Sequence, residues 1–163
     1  MSRTSKISTG VLDTLPDGFT KILPDGYKVY AFFQPTDKTY AIYISKKELD
    51  IKDVQRNSIG FVAFALYPSE SKLGITYIES NKKGVGIGHY LMILTAYLAT
   101  LPKIKKITLE DDSDLAHKGS LYQKVGCIYI NEEPYPDMEC NIKDVLNKYE
   151  EFITKYKGKG FFV

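Results

Sequence analysis

The residues whose spacing carries the most chemistry run from 83 to 89, Lys83-Gly84-Val85-Gly86-Ile87-Gly88-His89. Alternating glycines let successive backbone N–H groups turn toward one point without Cβ atoms in the way. The stretch before them, 73–79, has the composition of a strand. After them Leu91, Leu94, Leu98 and Leu101 recur at helical spacing. A strand, a glycine turn and a helix are therefore predicted, and the first helical turn adds free N–H donors and a partial positive charge. Such a cradle suits a phosphate or pyrophosphate, with Lys82 or Lys83 adding a mobile cation. Close packing of helix on sheet is the plainer use of the same glycines. A P-loop needs Lys and then Ser or Thr after its last glycine, and Gly88-His89-Tyr90 supplies neither. A dinucleotide loop wants Gly-x-Gly-x-x-Gly, and from Gly84 that frame puts His89 at the third glycine. Glu110, at a strand end about twenty residues on, is the one feature that favours it.

The segment 83–88 resembles the Arg/Gln-x-x-Gly-x-Gly/Ala pyrophosphate loop of the Gcn5-related N-acetyltransferases, with Lys83 in the Arg/Gln place. Downstream, Leu121-Tyr122-Gln123-Lys124-Val125-Gly126-Cys127 is similar to that family's Leu-Tyr-x-Lys-x-Gly-Phe. The resemblance spans roughly 72–130. It departs at Lys83, which lacks the forked geometry of Arg, and at Cys127, which stands where Phe is usual. Leu115, beside Asp114, stands where Asn often contacts the pantetheine arm. The region before Ile59 also lacks the usual pair of amphipathic helices, so the acceptor does not carry over.

The resemblance implies an α/β (α+β) fold, a mixed and mostly antiparallel sheet flanked by helices. It implies acyl-CoA-dependent N-acyltransfer, with acetyl-CoA as donor and direct attack by a primary amine. Tyr122 stands at the general-acid position, the alternative being a packed helical tyrosine with its hydroxyl in solvent. Tyr77 and Ile78 lie in the strand implied to meet the acyl and pantetheine units, Ile78 through its backbone. Lys83, Gly84, Val85, Gly86, Ile87, Gly88 and His89 form the implied coenzyme cradle, His89 through its N–H. Glu79, at the strand's end, is a candidate base directly or through water, or else an exposed carboxylate. Glu110, Asp111, Asp112 and Asp114 read as a solvated loop or as an attractor for a cationic amine. His117 reads as a surface residue. A coenzyme-binding module without catalysis and a nucleotide-binding protein using the same loop are the competing readings.

The elements that must position these groups are legible in outline. Leu15-Pro16-Asp17-Gly18 and Leu23-Pro24-Asp25-Gly26 predict two turns. Strands are predicted at 27–33, 39–44, 59–67, 73–79, 104–110, 127–130 and 138–140, with Pro35-Thr36-Asp37-Lys38 as a hairpin loop. The polar stretch 46–57 predicts a loop with a short helical turn. Pro102 stops the helix after the glycines, and a short helix is predicted over 115–125, closed by Gly126. The stripe Ile142, Val145, Leu146, Tyr149, Phe152, Ile153 and Tyr156 predicts a C-terminal helix over 141–157, capped by Asn141 and Asp144. It could pack on its own sheet or on a partner, so a homodimer is possible.

The 163 residues suit a single domain, 1–163, with 1–58 divergent. Apolar residues at 44% and 22 basic against 20 acidic residues give an ordinary globular balance. A net charge of +2 does not indicate nucleic acid. No apolar run is long enough for a bilayer, and none follows the first residues, so a cytoplasmic protein is expected. Two cysteines, Cys127 and Cys140, match no metal or redox pattern; two reduced thiols are expected, with a disulfide between them as the alternative. With two histidines as well, no metal is expected. The acceptor, small molecule or protein, is not written in the sequence.

Overall fold

A computed structural model of the chain describes residues 5–6, 15, 17–34, 38–100 and 102–163. The elements are β1 (Ser5–Lys6), α1 (Asp17–Lys21), β2 (Lys28–Gln34), β3 (Thr39–Ser45), α2 (Ile51–Asn57), β4 (Gly60–Tyr67) and β5 (Lys72–Ser80). Then come α3 (Ile87–Thr100), β6 (Lys106–Glu110), α4 (Leu121–Lys124), β7 (Cys127–Tyr129), β8 (Asp137–Asn141), α5 (Ile142–Leu146) and α6 (Tyr149–Tyr156). One sheet holds all eight strands in the order β1-β2-β3-β4-β5-β6-β8-β7. Every pair is antiparallel except β5–β6. A parallel pair needs a crossover, and α3 supplies it. The expected mixed, mostly antiparallel sheet with flanking helices is what the chain forms.

Two apolar clusters lie on opposite faces of this sheet. The larger is built around α3, whose Ile87, Leu91, Ile93, Leu94 and Ala96 are fully buried against Ile42, Val62, Leu73 and Ile107. A helix apolar all round must be covered all round, and α1, α5 and α6 complete the cover through Phe19, Val145, Phe152 and Tyr156. The C-terminal segment thus packs on its own domain, and Val163 N–H donates to Ile22 O at 2.9 Å. The smaller cluster, Phe32, Ala41, Tyr43 and Val54, lies under α2.

Several expectations need correction. Asp17 and Gly18 open α1 instead of forming a turn, while Pro16 lies outside the described residues. The second copy does turn: Tyr27 N–H donates to Pro24 O at 3.0 Å, with Gly26 at φ 88°. Of the predicted hairpin loop, 35–37 lie outside the described residues, but Gln34 pairs with Thr39 as a hairpin requires. The helix over 115–125 shrinks to α4, because His117 (φ 62°) and Gly119 (φ 81°) are left-handed and no α-helix passes through them. The C-terminal helix is two helices. Asn141 caps the first as expected, its Oδ1 accepting from Lys143 N at 2.9 Å and Asp144 N at 3.4 Å. The break falls at Asn147 and Lys148, where Lys148 N–H reaches back only three residues to Val145 O. The region before Ile59 holds α1 and α2, kept apart by the β2–β3 hairpin.

The cysteines are joined, not free: Cys127 and Cys140 form a disulfide. They are cross-strand partners on β7 and β8, with Cα atoms 4.1 Å apart. Facing pairs in an antiparallel ladder come that close only at positions that exchange no hydrogen bond. Cys127 in place of Phe therefore has a structural reason, since its sulfur meets Cys140.

Candidate active site

The site begins where two parallel strands stop being neighbours. β5 pairs with β6 only from Lys72–Gly74 against Lys106–Thr108. Just beyond, the β4–β5 register slips between Ala63/Tyr77 and Phe64/Ile75, leaving Thr76 as an extra residue on β5. A bulge bends its strand and increases the local twist, which turns the rest of β5 away from β6. Alternate backbone groups of that departing edge then face a cleft, not a strand.

The cleft has a volume of about 590 Å³, inside the usual range for a ligand pocket. Ile75 to Glu79 form one wall, with Leu109, Glu110, Asp112 and Tyr122 opposite. Tyr77, Ile78, Glu79 and Tyr122 are thus brought together, although Glu79 and Tyr122 lie 43 positions apart in sequence. The Tyr122 side chain is buried, and that burial, with Asp112 and then Asp111 nearby, pushes its hydroxyl pKa well above the ordinary 10.0. Glu79 accepts a hydrogen bond from Gln55 Nε2 at 3.4 Å, from α2 across β4.

At the end of β5 the glycine turn leads into α3. Asn81 N–H donates to Ile59 O at 2.9 Å, the Asn81 side chain donates to Ser58 O, and Ser80 Oγ donates to Lys82 O at 2.6 Å, which braces the turn. Gly84 has φ 76°, and an added Cβ there would meet nothing within 4 Å, so its backbone borders open space. Gly86 has φ 92°, and a Cβ there would lie 2.5 Å from the Tyr156 ring. At Gly88 a Cβ would lie 2.6 Å from Leu121 Cδ2, so the glycine lets α3 pack against α4 and Tyr122. Tyr90 N–H closes the first helical bond to Gly86 O at 2.9 Å. The N–H groups of Ile87, Gly88 and His89 precede it and have no turn of helix behind them. Open backbone at Gly84, a fourteen-residue helix starting beside it and the exposed Lys82 and Lys83 fit an anionic coenzyme tail.

His89 does not face the cleft. Its ring sits 5.3 Å from that of Tyr156, and burial, with Lys155 and Lys124, lowers its pKa from 6.5 to about 4. Of the acidic run, Glu110, Asp112 and Asp114 are exposed, as a solvated loop implies, and only Asp111 departs from it. Glu110 and Asp112 line the cleft, Asp114 is exposed, and Asp111 is fully buried. Burial alone would raise the Asp111 pKa, but hydrogen bonds from Ser113, Ser120 and Tyr129 together bring it below 3.8. Ser113 donates to Asp111 Oδ1 through Oγ at 2.6 Å and N–H at 3.1 Å, and Tyr129 Oη donates to Oδ2 at 2.9 Å. His117 N–H donates to Tyr129 Oη at 2.7 Å. This knot fixes the turns leading into α4 and hence the placement of Tyr122. Sequence reasoning missed the knot, Gln55 and Tyr156; only Asp111-Asp112-Ser113 offered a signal, as an Asp two residues before Ser favours a side-chain-closed turn. His117 is exposed, as expected, and Leu115 is 51% exposed and outside the cleft lining.

Among the described residues no helix is long and apolar enough to cross a membrane. No protein-family model matches the sequence, and no curated protein matches it. Solved structures do. Nourseothricin acetyltransferase is 14% identical, with 86% of this chain and 98% of that one covered at a TM-score of 0.50. The Bacillus cereus IAA acetyltransferase is 13% identical over 86% and 99%, at the same score. A Bacillus anthracis protein, assigned as a streptothricin acetyltransferase and solved with acetyl coenzyme A, is 12% identical over 86% and 98%, again at 0.50. What these chains share with this one is the arrangement of strands and helices over the matched 86%, and the protein has the fold of the Gcn5-related N-acetyltransferases.

Proposed function

We propose that the protein is an acyl-CoA-dependent N-acyltransferase that moves an acetyl group from acetyl-CoA to a primary amine. The observation that carries this reading is the cleft at the β5–β6 split, with the glycine turn at the end of β5 and Tyr122 and Glu79 on facing walls. The named activities of the structures with this fold, and the acetyl coenzyme A in one of them, support it.

Acetyl-CoA supplies an activated acyl group that a neutral amine attacks directly. The chain must then hold the donor, take a proton from the ammonium and return one to the departing thiolate. In this reading the open backbone at Gly84, the turn through Val85 and Gly86 and the N–H groups of Ile87, Gly88 and His89 bind the pyrophosphate, with Lys83 adding charge. The free edge of β5 at Tyr77 and Ile78 aligns the pantetheine arm and offers an N–H to the acyl oxygen as negative charge gathers there. Glu79 accepts the ammonium proton, directly or through water. Tyr122, kept neutral, holds the proton for the thiolate.

Calorimetric titration with acetyl-CoA, with NAD and ATP as controls, tests the reading. Selective binding of acetyl-CoA is expected, weakened several-fold by Lys83→Ala, and turnover with a panel of amines is expected to follow. Binding of NAD or ATP in its place would move the glycine turn to a nucleotide-binding function.

A further inference from the structure

On the face of the sheet away from α3 lies a second cavity, of about 270 Å³, between α2 and the strands. Its lining is mostly apolar, with Phe32, Ala41, Val54, Phe61, Ala63 and Tyr77, and Gln34, Thr39 and Gln55 add polar groups. The Phe61 and Tyr77 rings stack at 6.5 Å, and Tyr77 remains 56% exposed, a large ring held open on a sheet face. Two links join this groove to the reacting cleft. Tyr77 lines both cavities. Gln55 lines the groove and hydrogen-bonds Glu79, which lines the cleft. A molecule in the groove therefore lies one hydrogen bond, through Gln55, from Glu79, and Glu110 and Asp112 line the same cleft as Glu79.

We infer that the groove is the acceptor subsite, and that the acceptor is a primary amine with a cationic head and an apolar, ring-sized body. The inference rests on the acyltransferase reading and deepens it. The carboxylates supply charge complementarity for an ammonium entering the cleft. The apolar lining and the modest volume suit one ring, and a second charged group there would lose its hydration without a counter-ion. The reaction balances within the proposed activity. A C–N bond forms to the acetyl carbon as the C–S bond breaks; the nitrogen gives up two protons, one to Glu79 before attack and thence to water, and a second after attack that replaces the proton Tyr122 gives to the thiolate.

The probes are 2-phenylethylamine, ethylamine and 1,4-diaminobutane, each assayed with acetyl-CoA by thiol release on the full chain. A kcat/KM for 2-phenylethylamine roughly tenfold to a hundredfold above that for ethylamine is expected from burial of one ring. Ala63→Leu, which fills the groove, and Phe61→Ala, which removes a wall, should each erase most of that preference while the calorimetric affinity for acetyl-CoA holds. The pair guards against one variant failing to fold. Equal efficiency with the two monoamines, or preference for the diamine, with acetyl-CoA still bound, overturns this inference and leaves the acyltransferase reading standing. Absence of acetyl-CoA binding overturns both.

Discussion

A phenol shut away from water beside carboxylates ionises at greater cost, since burial and like charge both disfavour the phenolate. Tyr122 is in that position, buried and near Asp112 and Asp111, so it stays protonated through and beyond the pH where an exposed tyrosine would titrate. On the proposed acyltransferase reading, in which Tyr122 gives a proton to the thiolate, this is the needed state. Tyr122→Phe is expected to lower kcat by on the order of a hundredfold, the lower range for a general acid. Affinity for acetyl-CoA should stay within about twofold, because the hydroxyl is asked to act as the thiolate departs, not in donor binding. Steady-state kinetics from pH 7 to 10 check both parts. The parent protein should show no loss of rate from Tyr122 ionisation near pH 10, and an unchanged kcat in Y122F removes the residue from the proposed mechanism.

Glycine requirements belong to the scale of elements, because each glycine here answers to a different neighbour. Gly84 faces open space, so its only demand is its left-handed backbone. Gly86 has the same demand and also lies under the ring of Tyr156, in α6. Gly84→Ala should therefore cost roughly 1–2 kcal/mol from conformation alone. Gly86→Ala should cost that plus about 1–3 kcal/mol of overpacking as α6 gives way. Urea unfolding of the two variants separates the contributions, and equal midpoints would mean that Tyr156 moves aside freely. The alternation of glycines is legible in the sequence, and so is the strand that precedes them. The pressing of α6 onto Gly86 is not, since some 70 residues separate Tyr156 from the turn and only the folded sheet brings them together. Strand positions are likewise legible, because period-two patterns survive in a half-buried sheet. The shortening of α4 is hidden, because His117 takes a left-handed conformation that its type does not announce. The split of the cleft depends on a bulge at Thr76, a register event that no local pattern encodes.

At the scale of the whole molecule, the sheet ends at one edge in the three-residue β7, which follows α4 after two residues. A strand so short at an edge holds poorly by ladder hydrogen bonds alone. It is fixed from two sides, by the Asp111–Tyr129 hydrogen bond and by the disulfide to β8. The scarcity of cysteine and the lack of a redox pattern argue for two free thiols, and the bond between them shows what that reasoning omits. Spacing in sequence says nothing about facing positions across a ladder, and the register places Cys127 opposite Cys140. A crosslink spanning 13 residues should stabilise the fold by about 3 kcal/mol through the entropy it removes from the unfolded chain. For a domain of this size that corresponds to a fall in Tm of roughly 6–12 °C when it is lost. Cys127→Ala with Cys140→Val keeps both positions apolar and removes the bond. Differential scanning calorimetry of this double variant against the oxidised parent should show that fall, while the parent refolded in reductant should melt near the variant. If oxidised parent, reduced parent and variant all melt together, the β7–β8 edge is held by packing and the Asp111 knot, and the disulfide contributes nothing to the fold.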